Sequence, residues 1–427
     1  MRISSTLFFQ TGLNSINAQQ SDLLHLFQQT ASGKRMVSPA DDPLAASQAV
    51  NIRQAQSLNQ RFADNREQLK SNLGIELNAL DSTVTLLQDV KTRLVQAGNG
   101  TLSDADRATL ATVFSNAKST LLGLANSTDG SGQYLFSGHA GNQPAFLADN
   151  NGRVAYNGDQ GQRLIQADQT RQIAYSDVGS TIFAQAAQGS RAYVTQAGVA
   201  NTGTGLIGAP VITHPKGDNV GGSFQIVFSE TPAPDSTVQY TVHALGETGN
   251  LTAIDGGGPH DFQSGTNALT IPGGLQVAFS GNPKAGDAFQ LLPAVANEGG
   301  VGVDLNIFNA LDDIVLALNT PTQGNIDASV GVALGNALAT AMQKIDISYD
   351  QVLTVRSSVG ARLNEIEAID ANGAARDLSY SGQISRLEDL DYYSATTQLQ
   401  LRQSALEAAA LAFRKIQSAN LFSIGSN

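Results

Sequence analysis

Residues 32–49, SGKRMVSPADDPLAASQA, set two adjacent carboxylates, Asp41 and Asp42, beside Lys34 and Arg35. Paired carboxylates can hold a divalent cation, and a basic pair at a turn can hold phosphate. A cation needs further ligands, and no third carboxylate or His lies in the local loop. A phosphate loop needs GxxxxGK followed by Ser or Thr, which is absent. Helix punctuation fits better. Gly33 falls where a helical pattern stops, the position of a left-handed cap. Asp42 then reads as an N-cap with Pro43 as first helical residue, where proline loses no hydrogen bond. Both aspartates would oppose the positive end of that helix dipole.

No other constellation carries chemistry. GTGLIG, 203–208, matches a dinucleotide pattern by letter, but Ala209-Pro210 and a β-like run follow where a helix is required. The five His (25, 139, 214, 243 and 260) form no HExxH and no i,i+4 pair. His25 reads as an exposed or interface residue of a helix, the others as surface residues. GGGPHD, 256–261, reads as a flexible turn. There is no GxSxG elbow and no Cys. No catalytic, cofactor or metal site is expected, and the chain is not expected to be an enzyme. A formal charge of −12 argues against nucleic acid as a partner. With no apolar run of about 18 residues, no membrane span is expected either. MRISSTLFFQTGLNS lacks a sustained apolar core and a small-residue cleavage site, so a signal peptide is not expected.

The elements around these residues differ between the middle and the ends. Residues 191–300 hold 19 of the 42 Gly and 8 of the 12 Pro. There SFQIVFS, STVQYTVHAL, NALTIPGG and LQVAFSGNP read as strands closed by turn residues. On either side the spacing is helical. Leu73, Leu77, Leu80, Val84, Leu87 and Leu94 alternate steps of four and three, with Lys91 out of place, and Pro43 to about Ala97 reads as one helix of ~80 Å. Ser103 and Asp106 form a capping-box start for a third helix through Leu110, Val113, Leu121 and Leu124. GQYLFSG reads as a short strand with Tyr134 and Phe136 on one face, in the core of a hairpin cluster.

The terminal segments carry heptad seams. The first runs through Leu13, Ile16, Leu23 and Phe27, interrupted by Gln20. The last runs through Leu399, Leu406 and Phe413, with Ala395, Ala409 and Ile416 between. A second apolar face follows Leu401, Ala408 and Leu411, so this helix needs two sets of neighbours. One is expected from the N-terminal helix of the same chain and the other from a different subunit; a helix buried inside one larger bundle is the alternative.

ASGKRMVSPADDPLAASQA resembles the turn in the N-terminal region of the bacterial flagellin superfamily. DLDYYSATTQLQLRQSALEAAALAFRKIQSANLF is similar to its C-terminal helix. The block LANSTDGSGQYLFSGHAGNQPAF, with VAYNGDQGQRLIQ, GSTIF and the MRIS start, is closer to the members that join hook to filament than to filament flagellins. The resemblance covers about 1–185 and 303–427 and not the insert; the final SIGSN departs from it. It implies a mainly α fold with inserted β. Long coiled-coil-like terminal helices, 1–42 with 378–427, would pair as an inner tube. A helical and β-hairpin domain, 43–190 with 301–377, and an outer β-rich domain, 191–300, would surround it. Implied partners are other copies of the chain, hook-associated protein 1 on the hook side, flagellin on the filament side and an export chaperone at the C-terminal helix. The implied location is extracellular, in the flagellum, reached without a cleaved signal peptide. A filament flagellin and an adhesin-like module in the insert are the competing readings.

Overall fold

A computed structural model describes residues 5–232, 237–263, 265, 268–297, 300–322 and 328–424. Among them the helices are α1 (Ser5–Ser32), α2 (Pro43–Ala97), α3 (Asp104–Ala125), the short α4 (Gly179–Phe183), α5 (Ile307–Asn319), α6 (Ala328–Glu388) and α7 (Tyr392–Ile424). Strands β1 (Phe146–Ala148), β2 (Val154–Tyr156), β3 (Leu164–Asp168) and β4 (Arg171–Ala174) form two hairpins. The insert holds β5 (Tyr193–Ala197), β6 (Leu206–Ile212), β7 (Phe224–Glu230), β8 (Val238–Leu245), β9 (Leu251–Ala253), β10 (His260–Asp261), β11 (Ala268–Ile271), β12 (Leu275–Ser280) and β13 (Ala288–Pro293). The mixture of long helices and antiparallel β follows the sequence reading, and α2 has the expected bounds. The chain divides into two compact units, up to Arg66 with Glu367 onward, and Glu67–Ile366; the divisions fall inside α2 and α6.

In the first unit α2 and α6 run antiparallel through a polar seam. Gln56 donates to Asp377 at 3.0 Å, Asn59 to the Gly373 carbonyl at 2.9 Å, and Arg66 pairs with Asp370. Arg66 is 2% exposed, and a Cβ on Gly373 would lie 2.7 Å from its guanidinium. Glycine there makes room for the buried cation, whose burial is tolerable only because it is paired.

The second unit carries the apolar version of the same pairing. Leu73, Leu80, Leu87 and Leu94 of α2 are buried, as are Ile345, Val352, Val359 and Ile366 of α6, each row a strict seven-residue repeat. Each such side chain contributes about 1.5–3 kcal/mol on burial. Asp81 pairs with Arg356, Gln88 donates to Tyr349 at 2.8 Å, and Lys91 pairs with Asp346 at 2.7 Å while lying over the Tyr349 ring. Lys91 thus leaves the apolar row to make an ion pair. Helix α3 starts with the capping box of Ser103 and Asp106, as expected. Its buried stripe is Leu110, Phe114, Ala117 and Leu121; Val113 and Leu124 sit half-buried at its margin.

GQYLFSG is not a strand. It forms a single bridge, Thr128 to Tyr134, and then a turn. Leu135 and Phe136, neighbours in sequence, are both fully buried, which an alternating strand would forbid. Phe136 does reach the core, edge-on to Phe183 at 5.8 Å, whereas Tyr134 remains half-buried.

The four strand segments read from the insert are β7, β8, β11 and β12. Two sheets, ordered β10-β8-β7-β13-β5 with β9 on β8, and β11-β12-β6, share one apolar core. Phe228 and Phe289 from one meet Phe279 from the other, each at 5.3 Å. GTGLIG ends in β6, so no helix follows it.

Candidate assembly interface

The sequence places apolar seams at both ends of the chain, and the structure brings these ends together. Phe9 of α1 stacks against Phe413 of α7 with ring centroids 5.0 Å apart. A Cβ on Gly12 would lie 3.1 Å from the same ring, so a larger residue there would push the helices apart. Asp22 and Arg402 pair further along. The partners run in opposite directions, an antiparallel helix pair.

On α7 the residues sort into two faces. Ala395 is buried, and Leu399, Leu406, Ala409 and Phe413 are half-buried. Leu401 is 71% and Leu411 55% exposed, and Ala408 is exposed. Ile416 lies in α7, but its side chain is outside the described residues. On α1 the covered row is Gly12, Ile16, Gln19, Leu23 and Leu26. Ile16 and Leu23 belong to the seam read from sequence. Leu13 and Phe27 are exposed, one position off the covered row. Gly12 and Gln19 occupy heptad positions without an apolar side chain, so hydrophobicity alone drew the reading to the adjacent residue.

The opening stretch is a turn that locks onto the connection between α6 and α7. Gly33 has φ +69°, and its missing Cβ would sit 2.9 Å from the Tyr392 hydroxyl. Its carbonyl accepts from the Leu390 N–H at 3.0 Å, and the Arg35 N–H donates to the Glu388 carbonyl at 2.6 Å. The Arg35 guanidinium donates to the Leu387 carbonyl at 3.0 Å and pairs with Asp42 at 3.3 Å. Glu388, 6% exposed, takes both Lys34, at 3.3 Å, and Arg53. Glu388 and Arg53 were not singled out in the sequence; the signal was the acidic run LEDLD matching the basic pair after Gly33.

Asp42 accepts from the Ala45 N–H at 3.1 Å, and α2 begins at Pro43, the expected cap. Asp41 does something else. Instead of serving α2, its carboxylate closes the turn by accepting the Val37 and Ser38 N–H groups at 2.8 Å each. His25 Nε2 lies 3.1 Å away. The Ser38 N–H, above all, holds the Asp41 carboxyl below its ordinary range. Among the described residues no group of three or more His, Asp or Glu is placed to hold a metal, and no helix is long and apolar enough to cross a membrane.

Residues 3–140 match the bacterial flagellin N-terminal helical region. Flagellar hook-associated protein 3 of Escherichia coli (strain K12) is 28% identical over 425 residues, 99% of both chains. This chain is similar to flagellar hook-associated protein 3 from end to end. The crystal structure of FlgL from Xanthomonas campestris aligns with TM-score 0.65 and 28% identity, over 78% of this chain and 99% of that one. The flagellar junction protein FlgL from Legionella pneumophila aligns with TM-score 0.63 and 26% identity, over 80% and 100%. The hook-associated protein 3 match runs through residues 191–300 as well, beyond the segments that carried the resemblance in the sequence.

Proposed function

We propose that this chain is a structural subunit of the bacterial flagellum that joins hook to filament by self-assembly of its terminal helices. The observation that carries the reading is the similarity to hook-associated protein 3 over both chains' length, which includes the paired ends. In this reading α1 and α7 form a coiled-coil-like inner pair, residues 43–190 with 301–377 form the helical and hairpin domain, and residues 191–300 form the β-rich domain. Leu399, Leu406 and Phe413 cover the pair internally, while Leu401 and Leu411 bond a neighbouring copy. Partners on either side are hook-associated protein 1 and flagellin, and an export chaperone covers α7 until secretion. The chemistry is burial: assembly removes apolar helix surface from water at roughly 25 cal/mol per Å2. Deleting the gene tests this. Hooks without filaments, with flagellin monomer in the medium, are expected; filaments that still attach would contradict the junction role.

A further inference from the structure

A cleft of about 440 Å3 opens in the second unit between β5, the loop after it, α5 and one face of α6. Its floor is small and apolar, with Ala333, Ala337 and Ala341 at every fourth position. Its size falls within the range of small-molecule sites, roughly 300–1,000 Å3. Three neutral polar lining side chains are already engaged, Asn201 accepting from the Ala288 N–H at 2.8 Å and donating to the Ala288 carbonyl at 3.0 Å. Asn336 accepts from the Ile207 N–H at 3.1 Å and donates to the Gly205 carbonyl at 2.9 Å, and Thr340 donates to the Thr195 carbonyl at 2.6 Å.

Lys344 is different. Its side chain is 8% exposed, and its ammonium has Asp313 at 3.7 Å, an ion pair outside hydrogen-bond distance. Asp313 gives its other oxygen to Arg153 at 2.9 Å. Two cations therefore share one carboxylate, leaving a net charge of +1 beside an apolar floor. A largely desolvated ammonium gains from a hydrogen-bonded counter-charge. Asp313 lines the cleft beside that single ammonium, so the wall can balance at most one negative charge on a ligand, a monoanion.

We propose that this cleft binds a small carboxylate with a short unbranched apolar body, its carboxylate on Lys344 and its chain along Ala333, Ala337 and Ala341. The proposal is independent of the junction role. Titration calorimetry of the intact protein with octanoate, 1-octanol and octylammonium tests it. Octanoate should bind saturably at one site, octanol at least tenfold more weakly, and octylammonium not at all. Lys344→Met should bring octanoate to the level of octanol, and Ala337→Phe should weaken octanoate at least tenfold by filling the cleft. If a variant fails to fold, the ligand series on the unsubstituted protein still decides. Absence of saturable octanoate binding, or equal binding of all three compounds, overturns the proposal.

Discussion

Glu388 is 6% exposed and faces Lys34 of the turn after α1 and Arg53 of α2. Glu388→Ala should leave both without a counter-charge and cost about 1–2 kcal/mol, held down by the half exposure of both cations. The loss should appear as faster amide exchange across residues 33–42, with exchange in the insert unchanged. Gly33→Ala tests the same joint sterically. It places a Cβ at φ +69° and against the Tyr392 hydroxyl, at about 1–2 kcal/mol. Tyr392→Phe in the same chain should restore part of that stability; a double variant no better than Gly33→Ala would contradict the contact. Gly33, Asp42 and Pro43 were legible because caps are local chemistry, read within four residues. Glu388 was not, since its partners lie more than 300 residues away in sequence and only the fold joins them.

At the scale of elements, Glu76 carries a pH dependence. It is fully buried on α2, accepting the Asp177 N–H at 3.1 Å, with Arg362 of α6 held by the Asp177 carboxylate. Burial, and then the Asp177 charge, push its carboxyl from 4.5 up to about 8. The folded state thus keeps a proton that the unfolded chain releases above about pH 4.5. The associated stability is full below that pH and declines as pH rises through about 8. Thermal unfolding should shift to lower temperature between pH 6 and 8.5, and Glu76→Gln should flatten that shift; an unchanged slope would exclude Glu76 as its source. The two faces of α7 differ in what they should do. Leu406→Asp sets a carboxylate in the half-buried seam against α1, so it should both loosen α7 in the free protein and abolish incorporation. Leu401→Asp should leave the helicity of the free protein unchanged and still block incorporation. The α7 faces were readable because apolar side chains filled the heptads. The α1 row shifted by one because Gly12 and Gln19 filled two of its positions. GQYLFSG misled because its apolar residues are buried by a turn, where alternation means nothing.

At the scale of the whole molecule, the division into a helical host and a β insert was plain from where Gly and Pro accumulate. The core shared by its two sheets was not, because sheet partners such as β5 and β13 are distant in sequence. The chain has no Cys, so one introduced thiol reports a single position without background. On assembly, neighbouring copies should cover the exposed face of α7. Leu401→Cys, in a background that still assembles, should react readily with a maleimide in the free protein, where Leu401 is 71% exposed. It should become protected once the subunit is incorporated at the hook tip. Equal labelling of free and incorporated protein would mean that no neighbouring copy covers this face.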